Sequence, residues 1–86
     1  MSKETVTINI ENGLEVRPVA MLVQQASQFN SSIYIEKGSK SFNAKSIMGM
    51  MTLGLAPGEE LTVSADGADE QNAITTIVGY LSGKTE

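Results

Sequence analysis

The stretch NGLEVRPVA, residues 12–20, places a carboxylate and a guanidinium where a helix is predicted to begin. Asn12-Gly13 is typical of a turn, and Pro18 is typical of a first helical turn, where its missing N–H would be unpaired anyway. Exposed N–H groups and the helix dipole stabilise a carboxylate such as Glu15 there by ~0.3–1 kcal/mol. Arg17 is either a solvated charge or a surface ion-pair partner of Glu15, worth under ~1 kcal/mol.

An acyl phosphate on Glu15 would need strong activation, usually by Mg²⁺ among acidic side chains, and no acidic cluster lies near it in sequence. We therefore expect Glu15 to be unreactive.

Ser46 is the second side chain placed to do chemistry. The segment KSIMGMMTLG predicts a short helix, which begins after Ser46 as the N-cap and ends at Gly54. Ser is a preferred N-cap, worth ~1 kcal/mol, so a purely structural role is one interpretation. A phosphate on the same hydroxyl would add about two negative charges where main-chain N–H groups point. Phosphorylation would therefore leave the fold intact and change the local surface.

An apolar run follows this serine and cannot face inward as a whole on so short a helix. Its large members are Ile47, Met48, Met50 and Met51. Positions 48 and 51 share a helix face, so their methionines, with Ile47, are predicted to form an exposed, adaptable patch. Ala20 and Met21, near the start of the first helix, would extend that patch. A methionine cluster at helical spacing is more often part of a core, so the alternative is simple packing.

Composition excludes several classes of site. The 86 residues contain neither His nor Cys, which removes disulfides, thiolate nucleophiles, most zinc sites and the usual general base near pH 7. Asp66, Asp69 and Glu70 are interpreted as a strand end and a helix cap, because their spacing matches no metal-binding loop. The net charge of −4 argues against a nucleic-acid-binding surface. No apolar run approaches the ~20 residues of a membrane helix, and the first residues lack a signal-peptide core. We expect one soluble, cytoplasmic domain over residues 1–86, with no metal, no cofactor, and no direct contact with nucleic acid or membrane.

Hydrophobic periodicity predicts the elements that position these side chains. In chain order they are a strand over 5–11, a helix over 16–29, a hairpin turning at Lys37-Gly38-Ser39, the short helix after Ser46, a strand over 60–67, and a helix capped by Asp69. The first helix is predicted to bury a stripe of Val19, Ala20, Leu22, Val23 and Ala26. Four one-faced strands need a cover, so the order βαββαβα predicts a two-layer α/β sandwich.

Three stretches in this order resemble the histidine-containing phosphocarrier protein (HPr) family of the bacterial sugar phosphotransferase system. They are GLEVRPVAMLVQQAS, NAKSIMGMMTLG and VSADGADEQNAI, and the similarity runs over almost the whole chain. The resemblance implies an open-faced α+β sandwich, in which three helices cover one face of a four-stranded antiparallel sheet. KSIMG resembles the versions from Gram-positive bacteria, in which this Ser is a regulatory phosphorylation site.

The chain departs from the family at the active centre. The family motif reads Gly-[Ile/Leu]-His-Ala-Arg-Pro, and its His accepts phosphate from phosphoenolpyruvate through enzyme I. Here residues 13–18 read Gly-Leu-Glu-Val-Arg-Pro, so Glu15 stands at the phosphohistidine position while Arg17 is retained. The family branch called catabolite repression HPr (Crh) also lacks the His, keeps the Ser and works in gene regulation, and this chain resembles that branch.

The resemblance implies a set of partners. HPr kinase/phosphorylase would phosphorylate Ser46 with ATP. The phosphorylated chain would then bind the LacI-type repressor called catabolite control protein A, as its corepressor. Arg17, Ala20, Met21, Ile47, Met48 and Met51 are the predicted partner-binding residues. The chain would be a substrate and an effector, without enzymatic activity of its own.

Three alternatives remain open from the sequence. The chain resembles acyl carrier proteins in its size, its acidity and a Ser at a helix start, although those are all-helical and place Asp where this chain has Lys45. It is alternatively a constitutive interaction module in which Glu15 imitates phosphohistidine, or a phosphocarrier in which Glu15 replaces the active-centre His. A monomer and a dimer that exchanges its first strand are both compatible with the sequence.

Overall fold

Strands and helices follow one another in the order βαββαβα, as predicted. The computed structural model describes residues 1–9, 16–53 and 58–83. The elements are β1 (Ser2–Thr7), α1 (Val16–Ala26), β2 (Ser32–Lys37), β3 (Lys40–Asn43), α2 (Ile47–Leu53), β4 (Glu60–Asp66) and α3 (Glu70–Leu81). Since strands and helices are mixed, the all-helical carrier alternative is excluded.

The four strands form one antiparallel sheet in the order β1-β4-β2-β3. β4 lies in the interior, where it pairs with β1 on one side and with β2 on the other. β2 and β3 form the predicted hairpin, in which Lys37 pairs with Lys40 around Gly38 and Ser39. Gly38 has a φ of 62°, which a residue without a Cβ adopts without strain. The antiparallel sheet that the family resemblance implies is therefore confirmed.

The core lies between one face of the sheet and the three helices. The sheet contributes Val6, Ile33, Ile35, Leu61, Val63 and Ala65. The helices contribute Val19, Leu22, Ala26, Met50, Leu53, Ala73, Ile74, Ile77 and Leu81. Side chains on the opposite sheet face, such as Thr5, Tyr34 and Asn43, are exposed. The structure is therefore an open-faced two-layer sandwich.

The first strand begins and ends earlier than predicted. β1 pairs with β4 from Ser2 to Thr7, where the sequence predicted a strand over 5–11. The predicted alternation is nevertheless correct over the described part, because Val6 and Ile8 are both buried. The Asn9 N–H donates to the Leu81 carbonyl at the end of α3 (2.8 Å). The Ile8 main chain bonds to two residues, because its N–H donates to the Glu59 carbonyl and its carbonyl accepts the Gly58 N–H, both at 2.8 Å, so the regular one-to-one pairing with β4 does not continue beyond Thr7. Ile10, the last predicted inward residue, lies outside the described residues.

The first helix also ends before the predicted residue. α1 stops at Ala26 instead of Phe29, and the Phe29 N–H bonds only three residues back, to the Ala26 carbonyl at 3.3 Å. Three-residue spacing marks a tighter turn that does not continue an α-helix. Ala20, which was predicted on the buried stripe, is exposed on α1.

Asp69 does not cap α3 as predicted. It occupies the N-cap position, but its side chain makes no capping hydrogen bond. Its carboxylate instead accepts hydrogen bonds from the Asn30 and Ser31 main-chain N–H groups, both at 2.9 Å, and from the Ser31 hydroxyl. Ser31 is buried, so this carboxylate satisfies polar groups that would otherwise lack a partner. Asp69 therefore fixes the turn between α1 and β2 to the start of α3.

We predict that this carboxylate makes stability depend on pH. The Ser31 hydroxyl and the Asn30 N–H hold the pKa of Asp69 below its ordinary value of 3.8. A depressed folded-state pKa contributes stability above the unfolded-state value, and this is lost as pH falls through the folded value. Asp69→Asn should therefore lower the thermal midpoint at neutral pH, and its deficit should shrink below about pH 4. Thermal unfolding across pH measures this. Glu60→Gln, at an exposed position on β4, is the control, and parallel curves for Asp69→Asn and the parent would contradict the prediction.

Candidate functional site

Ser46 stands directly before α2, with its side chain and its main chain both bonded to the helix. Its hydroxyl oxygen accepts the Gly49 N–H at 3.3 Å, and its carbonyl accepts the Met50 N–H at 3.0 Å. The first contact is the side-chain bond of an N-cap, so the predicted capping geometry is confirmed. The serine is partly exposed. Ser46 therefore lies at the surface, with its hydroxyl oxygen held against the start of α2.

Four hydrogen bonds hold the loop that leads to this serine. Asn43 accepts two of them, from the Lys45 N–H to its side-chain oxygen (2.9 Å) and from the Ser46 N–H to its carbonyl (3.0 Å). The Ala44 N–H donates to the Ile33 carbonyl on β2 at 2.9 Å. The Lys45 ammonium reaches the turn that follows α1 and donates to the Phe29 carbonyl at 2.7 Å. The position of Ser46 thus depends on both the sheet and the end of α1.

Neither Asn43 nor Lys45 was predicted from the sequence to hold this loop. An Asn two residues before the bonded N–H is typical of an Asx turn, so Asn43 carried a local signal. Lys45 carried none, because the carbonyl that it contacts lies 16 residues earlier in the chain.

α2 divides its side chains between the core and the solvent. At about 100° per residue, Ile47, Met51 and Met48 fall on one arc of the helix, and Met50 and Leu53 fall on another. Met50 is fully buried and Leu53 nearly so. Met48 is 79% exposed, Met51 49% and Ile47 39%. We call these three exposed side chains the α2 patch, and the predicted exposure of all three is confirmed.

The remaining predicted contact residues lie on or before α1. Ala20 and Met21 are exposed on this helix, which packs against α2. Arg17 lies in the first turn of α1, but its side chain is not among the described side chains. Glu15 lies outside the described residues. The structure therefore brings Ser46 and the α2 patch together on one segment, with Ala20 and Met21 on the neighbouring helix.

Over the described ranges, the chain lacks two further kinds of site. Residues 1–9, 16–53 and 58–83 contain no cluster of three acidic, His or Cys side chains able to hold a metal ion. Asp66, Asp69 and Glu70, the acidic stretch noted in the sequence, belong to β4 and to the start of α3. In the same ranges, no helix has both the length and the apolar character of a membrane-spanning segment.

Residues 2–82 match the family profile described as the PTS HPr component phosphorylation site. The chain belongs to the HPr family. The HPr-like protein Crh of Bacillus subtilis (strain 168) is 42% identical to it over 81 residues, which cover 94% of this chain and 95% of that protein. Kinship with Crh supports a regulatory, HPr-like role for this chain.

Solved HPr and Crh structures share the fold. A crystal structure of HPr from Thermoanaerobacter tengcongensis superposes with a TM-score of 0.90 at 45% identity, covering 98% of this chain and 94% of that one. A crystal structure of Bacillus subtilis Crh superposes with a TM-score of 0.79 at 40% identity, covering 100% of this chain and 99% of that one. That Crh is a dimer with a swapped domain. A dimer is therefore known for a relative that matches this chain over its full length.

We predict that truncating the buried methionine of α2 costs much more stability than truncating an exposed one. Met50→Ala removes a fully buried side chain and leaves a cavity, so it should lower the free energy of unfolding by ~2–5 kcal/mol. Met48→Ala removes a side chain that is mostly in solvent, and should change that free energy by no more than ~0.5 kcal/mol. Urea unfolding followed by circular dichroism measures both. Equal losses in the two variants would show that α2 is not held by Met50.

Proposed function

We propose that this chain is a Crh-type regulatory protein of carbon catabolite repression. HPr kinase/phosphorylase phosphorylates Ser46 with ATP, and the phosphorylated chain binds the LacI-type repressor catabolite control protein A as its corepressor. The chain itself acts as a substrate and an effector and catalyses no reaction. The observation that carries the proposal is a partly exposed Ser46 that caps α2 through its hydroxyl and is directly followed by the α2 patch.

The position of Ser46 suits a modification that changes the surface and preserves the fold. A phosphoryl group brings about two negative charges and three strong acceptor oxygens to the start of a helix, where main-chain N–H groups favour negative charge. The modified oxygen is a weaker acceptor for the Gly49 N–H. The bond from the Met50 N–H to the Ser46 carbonyl involves only main-chain atoms and is unaffected. α2 therefore keeps its first main-chain hydrogen bond in the phosphorylated form.

The α2 patch supplies the apolar half of the proposed docking surface. Its side chains are flexible and polarisable, and exposed methionines of this kind adapt to partners of different shape. The phosphate beside them supplies the charged half, which Arg or Lys of a partner recognises through charge-assisted hydrogen bonds. Ala20 and Met21 extend this surface onto α1, and Arg17 contributes a guanidinium at the start of that helix. Phosphorylation thus places a charged group beside the apolar α2 patch, and the two together form the proposed recognition site.

Transfer of phosphate from phosphoenolpyruvate is not part of the proposal. The chain contains no His, and Glu15 stands at the family's phosphohistidine position. A carboxylate there carries less charge and fewer acceptor oxygens than a phosphoryl group, so it is an incomplete imitation of phosphohistidine. We therefore assign the regulatory switch to Ser46, and we assign Glu15 a charge-stabilising role at the helix start.

We predict one added phosphate when the chain is incubated with HPr kinase/phosphorylase, ATP and Mg²⁺, and none with enzyme I and phosphoenolpyruvate. Intact mass spectrometry of the two parallel reactions measures this. Ser46→Ala should abolish the added mass and should lower the free energy of unfolding by ~1 kcal/mol through loss of the cap. Ser41→Ala is a matched control, since Ser41 is exposed on the adjacent strand β3.

Repressor binding gives the second half of this test. The kinase-treated parent and Ser41→Ala should bind catabolite control protein A, and kinase-treated Ser46→Ala should not. If the untreated chain bound the repressor and Glu15→Gln weakened that binding, the result would instead favour a constitutive interaction module. Addition of phosphate to the parent by enzyme I and phosphoenolpyruvate would favour a phosphocarrier, and Glu15→His should then restore full transfer from phosphoenolpyruvate.

We also propose that any dimer of this chain forms by exchange of β1 between two chains. The Bacillus subtilis relative is a dimer with a swapped domain. Thr5 and Thr62 face each other across β1 and β4, with their hydroxyl oxygens 3.3 Å apart. Because the parent has no Cys, Thr5→Cys/Thr62→Cys introduces one possible disulfide. After size-exclusion chromatography and oxidation, it should join two chains in a dimer fraction and close within one chain in a monomer fraction. Non-reducing electrophoresis distinguishes the two, and chains left unlinked in the dimer fraction would exclude strand exchange.

A further inference from the structure

The five methionines of this chain are its only sulfur groups, and the structure separates them by accessibility. Met50 is fully buried, whereas Met48 is 79% and Met1 75% exposed, and Met51 and Met21 are 49% and 42% exposed. A mild two-electron oxidant that would attack a thiolate first finds only thioethers here. Accessibility then decides which sulfur reacts.

We propose that Met48 and Met51 form a reversible oxidation site that controls docking at the α2 patch. A sulfur lone pair attacks the outer oxygen of a peroxide, an S–O bond forms and the O–O bond breaks. The sulfur loses two electrons, and the peroxide is reduced to water or an alcohol, which takes the proton of the transferred oxygen. Methionine sulfoxide reductases reverse the change with two electrons from a dithiol, which becomes a disulfide, and the oxygen leaves as water. The effect on docking rests on the proposed function, whereas the oxidation itself does not.

The two oxidised side chains stay compatible with the fold. A sulfoxide at position 48 or 51 projects its oxygen into water, so no polar group is buried in the core. A sulfoxide on Met50 would bury an unpaired oxygen among the apolar residues that hold α2, which is costly. Native packing therefore protects the one methionine whose oxidation would unfold the helix.

The consequence of oxidation falls on the surface beside Ser46. Sulfoxides convert flexible apolar side chains into polar ones and disrupt methionine-rich contacts. Two of the three members of the α2 patch are methionines, so both would become polar in the oxidised form. Met1, directly before β1, is a natural comparison, because it is 75% exposed and β1 packs against β4 and α3. Oxidation there should leave docking unchanged.

Tandem mass spectrometry after treatment with dilute hydrogen peroxide tests the oxidation. In the native chain, Met48 should react nearly as fast as in urea, and Met50 should react only in urea. Equal protection of Met48 and Met50 in the native chain would overturn the proposal.

Binding of the Ser46-phosphorylated chain to catabolite control protein A tests the consequence. Oxidation should weaken binding by at least about tenfold, or ~1.4 kcal/mol, and treatment with both epimer-specific methionine sulfoxide reductases should restore it. Met48→Leu/Met51→Leu, a pair of apolar substitutions of similar volume, is made in a Met21→Leu background, because Met21 is 42% exposed on the same proposed surface. This variant should bind equally before and after peroxide, whereas Met21→Leu alone should still lose binding. Met1→Leu should give no protection.

Three results separate the failure of this inference from failure of the proposed function. Unchanged binding after oxidation of Met48 and Met51 overturns the inference alone. Loss of binding by oxidised Met48→Leu/Met51→Leu in the Met21→Leu background assigns the effect to other residues and also overturns it. Absence of binding by the unoxidised, phosphorylated parent overturns the proposed function and, with it, the docking half of the inference.

Discussion

The covering of one apolar sheet face by three helices is the constraint on which the rest of the structure depends. Burial of that face and of the helix stripes supplies most of the favourable free energy of folding in a domain of this kind. α1 and α3 carry long apolar stripes, but α2 has only seven residues and joins the core through Met50 and Leu53. A helix held by two side chains on one arc must expose the opposite arc. The α2 patch is thus a consequence of how little of α2 the core requires.

Polar contacts then fix the positions of the three helices relative to one another, because apolar burial alone is not directional. The segment from Phe29 to Ser31 accepts a hydrogen bond from one of the later helical regions and donates hydrogen bonds to the other. Lys45, directly before Ser46, donates to Phe29, and Asp69, at the start of α3, accepts from Asn30 and Ser31. The approach on the Asp69 side is so close that a Cβ on Gly67 would lie 2.7 Å from the Ser31 Cα. The end of α1 is therefore the junction that relates the Ser46 loop to the rest of the fold.

Apolar periodicity predicted the elements and most of the core, because burial on one face follows directly from the spacing of residues along a strand or helix. Val6, Ile8, Ile33 and Ile35 are buried as predicted. The ends of elements were predicted less well, because they depend on contacts between residues distant in sequence. β1 ends where the Ile8 main chain bonds to both Gly58 and Glu59, and the Asp69 carboxylate accepts hydrogen bonds from Asn30 and Ser31 instead of capping α3.

The same distinction applies to the candidate site. The Ser46 cap and the exposure of the α2 patch follow from local spacing, so the sequence was sufficient to predict both. The anchoring of the loop by Lys45 was not predictable, since its acceptor is a main-chain carbonyl that could belong to any neighbouring segment. Local patterns thus identified which side chains are presented, and tertiary contacts decide how firmly they are held. A surface that is to be chemically modified needs both exposed side chains and a firm attachment to the core. Its reactive groups must face solvent, and its attachment to the core must use other atoms, as it does here through Met50, Leu53 and the Ser46 carbonyl.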